Sequence, residues 1–305
     1  MPSGTRRIYE LAATTTEDIA LGAHVIRVGR DLTAFCNTYE VDGRVSWHPP
    51  EVRGHATVNC YLLKQDGNAL LIDTGVGAHR TDVTGQLADE LPASTRLEIL
   101  LLRQGEFDSI GNLLPLARSF SVKTIYGQFS EAPRWGDIHP DLDATDGWNV
   151  DGEAVATVVL SRQETIELGE GGVRQLSVFR PLLRLLSTHW VYDPLTRSLF
   201  TSDSFAYVVR PSDAGPWMLT SANDDMTGDQ VREHLMGTRY WWLARSTVDE
   251  LRRSLAAVFE AYEVEQIAPA FGAIITGSDA VARHVALVDE ALVELGQSSA
   301  AIVRT

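Results

Sequence analysis

A chain of 305 residues, 44% hydrophobic, can bury a large core, and its formal charge of −15, with Lys64 and Lys123 the only lysines, is the wrong sign for tracking a phosphate backbone. The amino terminus, Met-Pro-Ser-Gly-Thr-Arg-Arg-Ile, lacks the apolar core of a secretion signal, and no apolar run reaches the ~20 residues of a membrane helix. These features predict a soluble, cytoplasmic protein with neither nucleic-acid nor membrane partners.

Residues 1–20 are polar and Thr-rich and read as an arm, which leaves 21–305 as a single domain. Short strands are expected at 24–28 and 32–39, divided by a Gly-Arg-Asp turn. Residues 41–54 are too rich in proline for a central strand. They form either a lid over a site, with Trp47 offering an aromatic face, or a surface loop with Trp47 packed down. A hairpin follows, 56–64 and 69–73, across Gln65-Asp-Gly-Asn. Residues 81–91 have helical spacing, with Thr81 or Asp82 as cap and Pro92 beyond the end.

The apolar strand 99–102 then breaks into Arg-Gln-Gly-Glu-Phe-Asp-Ser, and a helix is expected over 110–120. Polar side chains at the carboxyl end of such a strand are where α/β folds place ligands. After a strand at 122–126, the excursion from Gly127 to Gly152, with Pro133, Trp135, Pro140 and Trp148, is long enough to be a pocket wall. Strands are expected at 155–160, 164–168, 173–179, 188–192 and 198–202, a loop at 211–227, helices at 230–235, 247–262 and 278–295, and a final strand at 266–269. Tyr240 to Leu243 is a candidate dimer contact or pocket wall, with core packing as the alternative. Cys36 and Cys60 have no zinc or disulfide spacing and read as buried thiols.

Asn59-Cys-Tyr-Leu, Leu71-Ile-Asp-Thr-Gly75 and the loop Gln104-Gly-Glu106-Phe-Asp108-Ser109 resemble the metallo-β-lactamase superfamily, whose matching loop is His-x-His-x-Asp-His. Glu106 is similar to the flavodiiron, oxygen-binding branch, where the loop reads His-x-Glu-x-Asp. Pro181-Leu-Leu-Arg184, Leu199-Phe-Thr-Ser-Asp203 and Pro269-Ala-Phe-Gly272 fall on three further ligand segments of that branch. The resemblance covers roughly residues 20–275. It implies an αββα sandwich with a pseudo-twofold order of two strand-rich halves, Asp203 at the metal-bridging position and homodimerisation as common. It also implies that imidazole is gone from every matched position. A flavin-binding domain is not expected within this chain.

On that reading Gln104, Glu106, Asp108, Arg184, Asp203 and Phe271 surround the old metal centre. A guanidinium stays protonated and offers no lone pair to a metal. The expectation is therefore Arg184, with Arg103 as a second candidate, in place of cations among three acids, and neither metal nor cofactor. The named roles are Glu106, Asp108, Arg184 and Asp203 for chemistry and Gln104, Ser109, Trp47 and Phe271 for substrate contact. Asp73 is expected to hold loop backbone. Ser109 lacks a nearby histidine to activate it as a nucleophile.

Three functions follow. The first is a metal-independent hydrolase, lyase or isomerase acting on a small oxygenated molecule. The second is a non-catalytic ligand- or partner-binding protein. The third is a metal-dependent hydrolase or diiron-like oxygen-binding protein using carboxylate ligands for a hard cation. Iron or zinc held by His48, His55 or His189 is a weaker variant of the third, His189 reading instead as a packed, hydrogen-bonded residue.

Overall fold

The computed structural model describes residues 22–29, 31–130, 149–150 and 153–297. The expected arm at 1–20 and Pro133, Trp135, Pro140 and Trp148 lie outside the described residues.

Two seven-stranded sheets make up the described fold. The first takes β1 (Gly22–Arg27), β2 (Leu32–Val41), β3 (Gly54–Gln65) and β4 (Asn68–Ile72) as an antiparallel meander. It then turns parallel, because helix α1 (Arg80–Glu90) carries the chain over to β5 (Arg96–Leu100). Helices α2 (Phe107–Ile110) and α3 (Leu113–Ser119) return it to β6 (Thr124–Gly127). A two-stranded hairpin, β7 (Asn149–Val150) with β8 (Glu153–Ala154), precedes β9 (Ala156–Val159), which closes the sheet beside β6.

The second sheet has the order β10-β11-β12-β13-β15-β16-β14. Its strands are β10 (Gln163–Leu168), β11 (Arg174–Phe179), β12 (Trp190–Asp193), β13 (Ser198–Ser202), β14 (Met218–Leu219), β15 (Gln266–Pro269) and β16 (Ile274–Thr276). Helices α4 (Gly228–Gly237), α5 (Asp249–Ala261) and α6 (Ser278–Gln297) complete it.

The alternation of strand side chains sorts the apolar residues into layers. Tyr61 and Leu63 of β3, Leu70 and Ile72 of β4 and Leu100 of β5 meet Leu176, Val178, Val191 and Phe200 of the second sheet. Their neighbours Leu62, Leu71 and Ile99 point outward and pack under Val83, Leu87, Leu113 and Leu116 of α1 and α3. Strands buried on both faces explain why these segments read as continuous apolar runs. The expected αββα sandwich is what the chain forms.

Three local expectations change. The helix expected at 110–120 is two pieces, because Phe107–Ile110 is already helical and Asn112 breaks the run by turning its amide to the carbonyls of Thr74 and Val76 at 2.9 and 2.8 Å. Helix α1 starts at Arg80 behind His79, with no side-chain cap, so neither Thr81 nor Asp82 caps it. Tyr240 and Leu243 are buried, and only Trp241 of that run is substantially exposed, at 51%. The stretch is thus core packing and wall, not a broad dimer patch.

Candidate functional site

The site lies at the end of the sandwich where β4, β5, β13 and β15 stop. Asp73, at φ +58°, ends β4 and accepts the Leu102 N–H at 2.9 Å and the Ser109 hydroxyl on the same oxygen. Thr74 donates both its N–H and its hydroxyl to the Ser109 carbonyl, at 2.9 and 2.8 Å. Asp73 therefore holds loop backbone, as expected, and Ser109 is spent in the same scaffold instead of facing a substrate. Burial, only partly offset by the Ser109 hydroxyl, pushes Asp73 up to about 7.

The loop so fixed presents Arg103, which is 1% exposed, between two aspartates. Its Nη2 donates to Asp108 Oδ2 at 2.7 Å, and its Nη1 lies 3.0 Å from Asp203 Oδ2. Burial disfavours the guanidinium charge, but Asp203 and Asp108 more than offset it and hold Arg103 above the ordinary arginine range. Both aspartates are in turn raised by burial, an effect that Arg103 opposes. The Tyr240 hydroxyl adds a donor to Asp203 Oδ2 at 3.2 Å.

Phe271 closes the floor, its ring centroid 5.9 Å from the Arg103 guanidinium carbon. Its place is set by β3. Asn59 donates its amide to the carbonyls of Pro269 and Gly272 at 2.9 Å each, Tyr61 donates to Pro269 at 2.6 Å, and Thr57 to Gly272 at 2.7 Å. Trp47 packs on Phe271 with centroids 4.1 Å apart, so the loop after β2 does lie over the site. Both readings of Trp47 meet here, since it is packed down and at the same time lines the opening.

Glu106 sits at the rim, bound by Arg239 Nη1 at 2.5 Å. A capping box, Thr227 with Gln230, starts α4 and carries His234 to the cavity wall. Ser46, Trp47, Arg103, Asp203, His234 and Tyr240 are among the residues around a small cavity of about 20 Å³, room for little more than one water while the Trp47 loop is down. Burial holds His234 down at about 3 and the neighbouring His48, bonded to the Tyr39 hydroxyl at 2.6 Å, at about 4, so both are neutral imidazoles.

Two expected members stand elsewhere. Arg184 does not reach the acids: its loop turns through Leu186 at φ +51°, and its Nη1 donates to the Pro181 carbonyl at 2.5 Å. Arg103 holds the place assigned to it. Gln104 points away from the cavity, its side chain exchanging bonds with the backbone of Phe129 at 2.9 and 3.2 Å, so it joins two loops and is not positioned to touch a substrate. His189 is fully buried and hydrogen-bonded between Gln128 and the Ser161 carbonyl. Tyr240 belongs to the aromatic run read as a possible pocket wall, whereas Arg239 and His234 carry no signal in the sequence beyond their nearness to that run.

No protein-family model matches this sequence, and no curated protein sequence matches it. Solved structures do. A variant flavo di-iron protein from Thermotoga maritima aligns with a TM-score of 0.61 at 16% identity, over 92% of this chain and 62% of its own. The metal-soaked flavodiiron core from Synechocystis gives 0.59 at 17%, over 90% and 62%. Rubredoxin:oxygen oxidoreductase from Desulfovibrio gigas gives 0.58 at 16%, over 90% and 62%. The chain spans about three fifths of the length of these proteins. The αββα fold implied by the sequence resemblance is the fold that these structures share.

Proposed function

We propose, from the premise that this chain has the metallo-β-lactamase fold as flavodiiron proteins build it, that its cavity is a metal-independent site for a small oxygenated organic molecule. The observation that carries this reading is Arg103 bridging Asp108 and Asp203 where the fold's relatives gather ligands for cations. The donor set does not fit a dinuclear metal group. The guanidinium offers no lone pair and repels cations, Phe271 has no donor, Gln104 faces Phe129, and Glu106 is held by Arg239. Among the described residues no three His, Cys, Asp or Glu side chains gather as a metal group.

The cavity retains unmet hydrogen-bonding capacity. Arg103 Nε and Asp203 Oδ1, on two residues that line it, are buried without partners. Buried polar atoms require partners, so a bound molecule carrying both a carbonyl or hydroxyl oxygen and a donor group would satisfy them. Arg103 Nε supplies a charged donor for an oxygen that gains negative charge, and Asp203, raised above the ordinary carboxylate range by burial, supplies a proton acceptor or donor. The Trp47 and Phe271 rings supply the apolar wall.

The test is a screen of small hydroxy and carbonyl compounds for binding and for turnover, with elemental analysis of protein purified without chelator. Turnover that falls about 100-fold or more in Asp203→Asn, with binding retained, is the expected result. Stoichiometric transition metal in the purified protein, lost in Asp108→Asn, would overturn the reading. Binding without any turnover would instead favour a ligand-binding role, which the internal neutralisation of Arg103 by two acids also suits.

A further inference from the structure

On one edge of the second sheet, three arginines stand at the open end of one hairpin and in the loop that follows it. Arg162 precedes β10 and Arg180 follows β11, and the Arg180 N–H donates to the Arg162 carbonyl at 3.0 Å, so both side chains leave the same end of one hairpin. Arg184, four residues on, turns back toward Arg180, placing its guanidinium against the residue bonded to Arg180. Its Nη1 reaches only a backbone carbonyl, that of Pro181, and its Nε is buried without a partner.

The hydrogen bonds of His189 show that Arg180 is no better satisfied. Gln128 Oε1 accepts the Gln104 N–H at 2.6 Å, which makes the Gln128 amide nitrogen the atom 3.0 Å from His189 Nδ1. Nδ1 is then an acceptor, and the ring proton sits on Nε2, donating to the Ser161 carbonyl at 2.9 Å. Arg180 Nε, 3.2 Å from that same Nε2, faces an N–H and not a lone pair. The nearby Glu164 carboxylate accepts the Ser161 N–H at 2.9 Å instead of pairing with an arginine. Among the described residues no carboxylate forms an ion pair with Arg162, Arg180 or Arg184.

Forty-one acidic residues give this chain ample means to neutralise arginines, and elsewhere it does so, as at Arg27, Arg174, Arg210 and Arg252. Three guanidiniums gathered at the open end of one hairpin repel one another unless an anion bridges them. We propose that Arg162, Arg180 and Arg184 form a binding site for a small phosphate-type oxyanion, either inorganic phosphate or a phosphate monoester. A tetrahedral dianion offers enough oxygens and charge for three guanidiniums, whereas one carboxylate offers two oxygens and a single charge. The site is independent of the proposed function of the cavity.

The experiment follows thermal unfolding of the intact chain in inorganic phosphate, glycerol phosphate, acetate and chloride at one ionic strength. Inorganic phosphate, the monoester, or both should raise the unfolding temperature by about 2 °C or more over chloride at saturating ligand, and acetate should not. Which of the two phosphates binds more tightly names the natural source. Arg184→Gln should abolish that rise while leaving the unfolding temperature in chloride equal to or above that of the parent, because a repulsive charge has gone. The proposal is overturned by no phosphate effect, by acetate matching phosphate, by a phosphate effect that survives Arg184→Gln together with Arg162→Gln, or by a lower unfolding temperature of Arg184→Gln in chloride.

Discussion

Asp73 is a buried carboxyl whose folded value of about 7 stands well above its ordinary 3.8, chiefly because burial disfavours the charge. The fold therefore keeps a proton that the unfolded chain has already released. Stability from this group is full below about pH 4 and is lost as pH rises through about 7. Asparagine tolerates the same positive φ and keeps the oxygen that accepts from Leu102 and Ser109, but does not titrate. Parent and Asp73→Asn should thus diverge by about 4 kcal/mol between about pH 4 and pH 8, the variant gaining as pH rises, in paired denaturant titrations. Parallel curves would remove the account. Arg103 gives the opposite case. Its replacement by leucine leaves two buried carboxylates uncompensated and should destabilise by about 3–5 kcal/mol at neutral pH. The loss should shrink as pH falls from neutral, since the raised aspartates protonate before ordinary carboxylates do, and urea unfolding across a series of pH values checks it. Asp108 and Asp203 were legible in the sequence because each follows a strand of a familiar pattern. Choosing Arg184 over Arg103 failed, because whether a side chain reaches a cavity depends on loop direction, which the turn at Leu186 and the Pro181 carbonyl decide.

At the scale of elements, the segment between β2 and β3 matters most, since it lays Trp47 on Phe271 and closes the cavity. It rests on the carboxyl end of α4. A Cβ on Gly237 would stand 2.6 Å from Pro49 Cβ and 2.8 Å from Pro49 Cγ, and a proline ring cannot rotate out of the way. Gly237→Ala should therefore lift the loop at a cost of about 1–3 kcal/mol. Trypsin cleavage after Arg44 or Arg53, followed by mass spectrometry, should accelerate severalfold under native conditions, whereas an unchanged rate would show the loop docked by other contacts. The long strands and the helices α5 and α6 were legible because their periodicity runs for several turns or pairs. Strands β14 and β16, of two and three residues, carry too little pattern to see and exist through pairing with each other and with β15. The early helical start at Phe107 was hidden for a related reason, as Ser109 is anchored by distant groups, Asp73 and Thr74.

For the molecule as a whole, the question is what binds its two halves together. Arg174 of β11 pairs with Asp193 of β12 in full burial and also donates to the carbonyls of Asp31 and Lys64, tying the second sheet to the first at one end. At the other end Asn59, Tyr61 and Thr57 of β3 hold the loop after β15. Between these ends lies the shared apolar core, so the sandwich is closed by contacts internal to the chain, with Arg103 among the acids of its open end. A protein whose fold is linked to a metal gains stability by mass action, about 2.7 kcal/mol when the ion stands at 100 times its dissociation constant. Here neither a chelator nor added zinc, manganese or ferrous iron should move the unfolding temperature by more than about 1 °C, since a cation entering between Asp108 and Asp203 must first expel a guanidinium. Differential scanning calorimetry on the purified chain, with and without chelator, decides this. A drop of several degrees on chelation, restored by one metal and absent in Asp203→Asn, would mean that Arg103 yields its place to a cation.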